Sequence, residues 1–244
     1  MQRLHRRRRL SFRFFLFLWL FCVVLPFFSC AARINGPLNA DGSAELAVTI
    51  SLEPRMTALL RNLSAAGGTQ TVDRPLLDGP AIALSMSAAP GIASVSFKNT
   101  APAAIEGPVR VSRISALGGG VGFISFEQNG SGGRCLISIS RGTGPEILGL
   151  LSPEITDYLA ALMAPLATGE ALGKAEYLAL VSSVYSKAIS DEISRSRILA
   201  SITFPGTIRS VRGGTFTGRR ADFDIPLLDL LVLETPLSYE VDWN

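Results

Sequence analysis

Residues 44–53 alternate. Ala44, Leu46, Val48, Ile50 and Leu52 take every second position, and Glu45, Thr49, Ser51 and Glu53 stand among the positions between them. A period of two places the two sets on opposite faces, so this stretch predicts a half-buried strand. The pattern returns near the C-terminus. Ala221, Phe223 and Ile225 alternate with Asp222 and Asp224, then Leu237, Tyr239, Val241 and Trp243 alternate with Ser238, Glu240 and Asp242. Ala93, Val95 and Phe97 predict another strand face, and residues 109–114, 121–128, 135–140 and 198–204 predict further strands. Gly118-Gly119-Gly120, the run 129–133 and Gly213-Gly214 separate them as turns. Short strands joined by glycine turns predict an antiparallel meander.

Helical spacing fills the gaps. Pro54 suits a first turn, and Met56, Leu59, Leu60 and Leu63 share one face until Gly67-Gly68. Residues 80–89 predict a short helix. Ser152 can cap, Pro153 and Glu154 fit a helix start, and Ile155, Tyr158, Leu159, Leu162, Met163 and Leu166 follow as a stripe. Thr168-Gly169-Glu170 opens a second helix with a stripe of Tyr177, Leu178, Val181, Val184, Tyr185, Ala188 and Ile189. Residues 152–194 therefore predict a helical hairpin. The expected fold is α+β, a mostly antiparallel meandering sheet with the hairpin and a further helix packed on one face, forming one domain over 43–244.

The first thirty residues follow another logic. Arg6, Arg7, Arg8 and Arg9 precede an unbroken apolar run over 14–28, and Ser29-Cys30 follows. A basic start, a short apolar core and a small residue before the cut describe a secretory signal. Spanning a bilayer takes about 20 apolar residues. The run has fifteen and contains Pro26. A cut before a cysteine predicts that residues 1–29 are a lipoprotein signal peptide and that Cys30 carries the lipid, with residues 30–42 as a tether. Phe27 and Phe28 depart from the common lipoprotein box. The expected location is a bacterial envelope membrane, facing periplasm or cell surface, with the membrane as partner through acylated Cys30.

Removing the leader changes the charge. Six of the 23 basic side chains and none of the 20 acidic ones lie in 1–29, so the remaining 215 residues hold 17 basic and 20 acidic groups, a net charge near −3. No basic surplus is left to argue for nucleic acid. His5 is the sole histidine and lies in the leader. Imidazole-dependent catalysis and His-ligated metal sites are thereby excluded, and no cofactor is expected.

What remains are weak candidates. Cys135 lies in an alternating run and reads as a small buried hydrophobe. The turn 141–146 could cradle phosphate, but Glu146 would repel it and a plain turn is the better reading. Asp222, Asp224 and Asp229 could ligate calcium, though ordinary solvated carboxylates fit better. Lys98, Lys174 and Lys187 are the amines available as a base. Tyr158, Met163, Tyr177 and Tyr185 could line an apolar groove, and more simply form core. The expectation is a non-enzymatic protein that binds a lipid, a hydrophobic ligand or a protein partner. The alternative is an envelope hydrolase using paired carboxylates.

The Ser29-Cys30 junction, the opening Leu38-Asn39-Ala40-Asp41-Gly42-Ser43, the central run 151–185 and the ending 204–216 together resemble uncharacterised lipoproteins of treponemes and related spirochaetes. The opening strand and Phe204-Pro205-Gly206 also resemble the LppM-type lipoprotein domain. The resemblance implies an exported, lipid-anchored protein and assigns no active residues.

Overall fold

The computed structural model describes residues 30–66, 75–120, 122–130 and 132–244. The expected signal peptide over 1–29, the expected helix stop at Gly67-Gly68 and Val121 of the expected strand lie outside them. The fold is α+β with mostly antiparallel sheets. The larger sheet has eight strands, with β1 (Cys30–Pro37) and β2 (Ala44–Ser51) at its centre. β2 pairs with β5 (Ala104–Val111), which carries β3 (Ile92–Val95) and β4 (Lys98–Ala101) one after the other along its far side. The smaller sheet runs β6 (Ile124–Asn129), β7 (Gly132–Ile139), β12 (Leu237–Trp243), β9 (Ile208–Arg212). The remaining strands are β8 (Arg197–Thr203), β10 (Thr215–Thr217) and β11 (Arg220–Pro226), which extend the large sheet beyond β1.

β1 corrects the tether expectation. Residues 30–37 contain little β-branched character, yet they run antiparallel to β2 and parallel to β8. Each neighbour supplies a full edge of backbone donors and acceptors, and tertiary pairing overrides weak local propensity. The parallel pair is also why local turns alone could not give the strand order: β1 and β8 are joined through most of the chain.

The break between β3 and β4 sits opposite Gly107. A Cβ there would lie 1.8 Å from the Ser96 carbonyl oxygen, so β5 needs a glycine where the two partner strands change over.

Directly opposed residues share a face. Leu46, Val48, Ile50, Ile202, Phe223, Ile105, Val109 and Val111 turn to one core, which α2 (Gly79–Ser87) and the small sheet complete through Ile82, Ala83, Cys135, Ile208, Val241 and Trp243. The helices build a second core. α1 (Pro54–Ala66) contributes Met56 and Leu60. Where the sequence predicts a two-helix hairpin, four short helices form: α4 (Pro153–Ala161), α5 (Pro165–Thr168), α6 (Lys174–Val184) and α7 (Lys187–Arg195); α3 (Gly144–Leu148) precedes them. Met163 is left-handed at φ 55°, and Pro165 disfavours helix at Ala164, which is extended, so α4 does not continue past this point. Ser186 is extended and caps α7 by accepting from the Ile189 N–H. α8 (Leu227–Val232) closes this core with Leu231 and Val232.

The two cores meet where β2 ends and β8 begins. Leu52 touches both. Glu192 on α7 holds the junction. It is 6% exposed and accepts from the Met56 N–H at 2.9 Å and the Arg55 N–H at 3.3 Å. α1 begins with Pro54 and has no acid in its first turn, so Glu192 supplies the negative charge its N-terminus lacks. Glu192→Ala leaves two backbone donors without an acceptor, and we expect a loss of about 1–3 kcal/mol in denaturant unfolding. Glu192→Gln, which keeps an acceptor, should lose clearly less.

Candidate functional site

The face of the large sheet opposite its core is polar and faces solvent. Its rows follow from the register. Ala47, Asn35, Ser201, Asp222 and Thr215 lie side by side across β2, β1, β8, β11 and β10, and Thr49, Arg33, Leu199 and Asp224 form the adjacent row. The β9–β10 turn at Gly213-Gly214 rises at one side. Together these residues line a cleft of about 630 Å³ whose polar groups are Arg33, Asn35, Ser201, Thr215, Arg220, Asp222 and Asp224.

The charges in the cleft are largely spoken for. Ser201 Oγ donates to Asp222 Oδ1 at 2.6 Å, and Arg220 Nε donates to the same oxygen at 2.8 Å. Partial burial pushes the Asp222 carboxyl up, but the Ser201 hydroxyl, the Arg220 donor and the Arg220 charge together outweigh it and hold it below the ordinary carboxylate value. Asp224 Oδ1 lies 3.6 Å from Arg197 Nε. Arg33 is exposed and, among the described residues, forms no hydrogen bond or ion pair through its side chain. The cleft therefore offers one uncommitted guanidinium beside the Asn35 amide, two engaged carboxylates and exposed backbone at the glycine turn.

The other candidates resolve by position. Asp222 and Asp224 share the cleft face, whereas Asp229 sits on α8 and accepts from Lys174 Nζ at 3.1 Å. Among the described residues no group of three or more Cys, His, Asp or Glu side chains is placed to hold a metal ion. Arg141 donates to the carbonyls of Leu172 and Val232, at 2.6 and 3.3 Å, so its turn is tied into the helical layer. Lys98 and Lys187 pair with Glu106 and Asp191. Cys135 is buried, and burial pushes its thiol up to about 12.

The aromatic stripe is mainly core, although Tyr158 also lines a second cleft of about 300 Å³ with Leu63, Leu76, Ile82, Glu154 and Asp157. Tyr177 is fully buried and donates to the Leu162 carbonyl at 3.2 Å; its phenol is pushed up by burial and by the neighbouring Tyr185. Tyr185 donates to the Ala161 carbonyl, and Tyr158 to that of Leu76 at 3.1 Å. All three phenols satisfy carbonyls at helix ends or in loops, which locks the short helices together.

Sequence reasoning missed Arg33 and Asn35 because they stood in the expected tether. It also missed the ionic lattice on the small sheet, where buried Glu240 meets Arg134 and Arg212. The alternation of 237–243 placed Glu240 on the face away from the core and gave no sign of its burial.

No family model matches the chain, and no curated protein matches it, so the resemblance to treponeme-type lipoproteins gains no support there. Among solved structures, the chain is similar to the folded domain of LppM from Mycobacterium tuberculosis, at 11% identity over 91% of this chain and 94% of that one, with a TM-score of 0.38. At that identity and overlap no residue of LppM is carried over to this chain.

Proposed function

We propose that the protein is a lipid-anchored envelope protein whose folded domain works by binding rather than by catalysis. The observation that carries the anchor is the apolar run 14–28 ending at Ser29-Cys30. The cleft around Arg33 supports the binding reading. The Arg33 guanidinium beside Asn35 would receive a polar or anionic group, or a partner surface bearing one, between the apolar walls of Leu199, Ala200 and Phe223.

The hydrolase alternative has less support. A general base near neutral pH needs a carboxyl raised by several units in a buried setting. Asp222 is shifted the other way, and Asp224 is exposed beside Arg197. Both act here as arginine partners.

Native mass spectrometry of the full protein purified from membranes tests the reading. A co-purifying adduct is expected in the wild type and lost in Arg33→Glu, which reverses the one uncommitted charge while leaving the sheet backbone intact. An adduct retained by Arg33→Glu, or turnover of ester, phosphate or glycoside substrates abolished by Asp222→Asn, would overturn it.

A further inference from the structure

We infer that the α1–α7 face beside Cys30 docks onto the anionic headgroups of the membrane that holds Cys30. This rests on the anchor reading and goes beyond it. Cys30 is the first residue of β1, and its register partner is Arg197, the first residue of β8. No spacer separates the anchor point from the folded sheet. A lipid on Cys30, or the apolar leader itself, would therefore hold this end of the domain at the bilayer surface.

Two helices flank that point. α1 follows β2 through Leu52 and Glu53, and α7 precedes β8 through Ser196. They are joined by Glu192, so the N-terminus of α1 and the C-terminus of α7 lie together. The outward face of α1 shows Arg55, Ala58, Arg61 and Asn62, and α1 contains no acid. α7 adds exposed Lys187 and Arg195. Among the described residues the side chains of Arg61 and Arg195 form no hydrogen bond or ion pair, and Arg195 and Arg55 lie near enough to Asp191 to help hold its carboxyl down.

The charge balance picks out this face. Arg55, Arg61, Lys187 and Arg195 on the two helices stand against Glu53, Asp191 and Glu192, a local surplus of one, and Glu192 is buried. The other 13 basic and 17 acidic groups of residues 30–244 have a deficit of four. A protein of net negative charge thus turns its positive side towards its own anchor. Each cation in an anionic headgroup layer strengthens association about fivefold, and salt screens the effect. With Cys30 supplying the attachment, the cations set the orientation: the α1–α7 face lies down on the bilayer.

The test uses the full processed protein in vesicles, with a spin label at Ala58→Cys on α1 or at Asn129→Cys on the small sheet. Buried Cys135 stays unlabelled. In vesicles containing roughly one-third phosphatidylglycerol, the label at 58 should lose accessibility to a water-soluble relaxation agent several-fold. The label at 129 should not change. The protection should vanish in pure phosphatidylcholine, at high salt, and in Arg61→Glu/Arg195→Glu. Equal accessibility of both labels in both lipids overturns the inference, as does protection indifferent to salt and lipid charge. The N-terminal mass reads acylation separately. Acylated Cys30 with an accessible label at 58 removes the docking and keeps the anchor. An unacylated chain that is still protected at 58 on anionic vesicles keeps the docking and removes the lipid.

Discussion

Replacing Cys30 by alanine should abolish the acylated form and release the protein from detergent-phase fractions. The expectation comes from the length of the apolar run and the chemistry of the cut. Fifteen residues interrupted by Pro26 are too few to span a bilayer stably, so retention depends on the lipid. Each buried CH₂ contributes about 0.8 kcal/mol; one acyl chain binds marginally and two hold firmly. A diacylglyceryl thioether at Cys30 meets that requirement, and alanine has no sulfur to carry it. Thiol titration gives an independent reading on the wild type. Cys135 is buried with its thiol at about 12, so the native processed protein should show no reactive thiol. The denatured protein should show one if Cys30 is blocked by its lipid. Two thiols on denaturation, together with a Cys30→Ala variant that is equally membrane-bound, would remove the lipoprotein reading.

The elements legible in the sequence are those whose local pattern and tertiary role agree. β2, β7, β11 and β12 alternate cleanly, because each has one face on a core and one on solvent or a polar lattice. β5 begins five residues before the strand its alternation predicts. Gly107 and Pro108 interrupt its first half, and the alternation starts only at Val109, although the strand begins at Ala104. β4 is exposed throughout and carries no apolar signal. The end of α4 was written in the stripe itself: Pro165 disfavours helix at the residue before it, and the stripe ran through it because Leu166 kept the spacing.

The site was legible by halves. Alternation put Asp222 and Asp224 on one face, and the register bears this out. Nothing local could bring Arg33 and Asn35 beside them, since that depends on β1 pairing in parallel with a strand more than 160 residues away. Glu192 shows the same limit. Its role as the cap of α1 joins residues 136 apart. Local periodicity reports which face a residue takes; which faces meet is decided by pairing at a distance.

Trp243→Ala should be the most destabilising single change in the fold. The residue is 2% exposed on β12, the strand held between β7 and β9. Its ring lies 5.7 Å from that of Phe126 on β6 and 5.3 Å from that of Phe204, which follows β8. It therefore joins the small sheet to the large one. The backbone is shaped around it: a Cβ on Gly133 would come within 2.3 Å of the indole, and one on Gly206 within 2.8 Å. Truncation to alanine removes the aromatic contacts to both sheets and leaves a cavity that these strands cannot close, at a cost of about 3–5 kcal/mol. Against a typical stability of about 5–15 kcal/mol, that is a large part of the whole. Trp243→Phe separates packing from polarity. It keeps an aromatic ring and deletes the indole N–H, which is buried with no acceptor among the described residues. Phenylalanine should recover more than half of the loss in chemical denaturation. If alanine shifted the midpoint no more than phenylalanine does, the two sheets would be held together elsewhere and the central place given to Trp243 would be wrong.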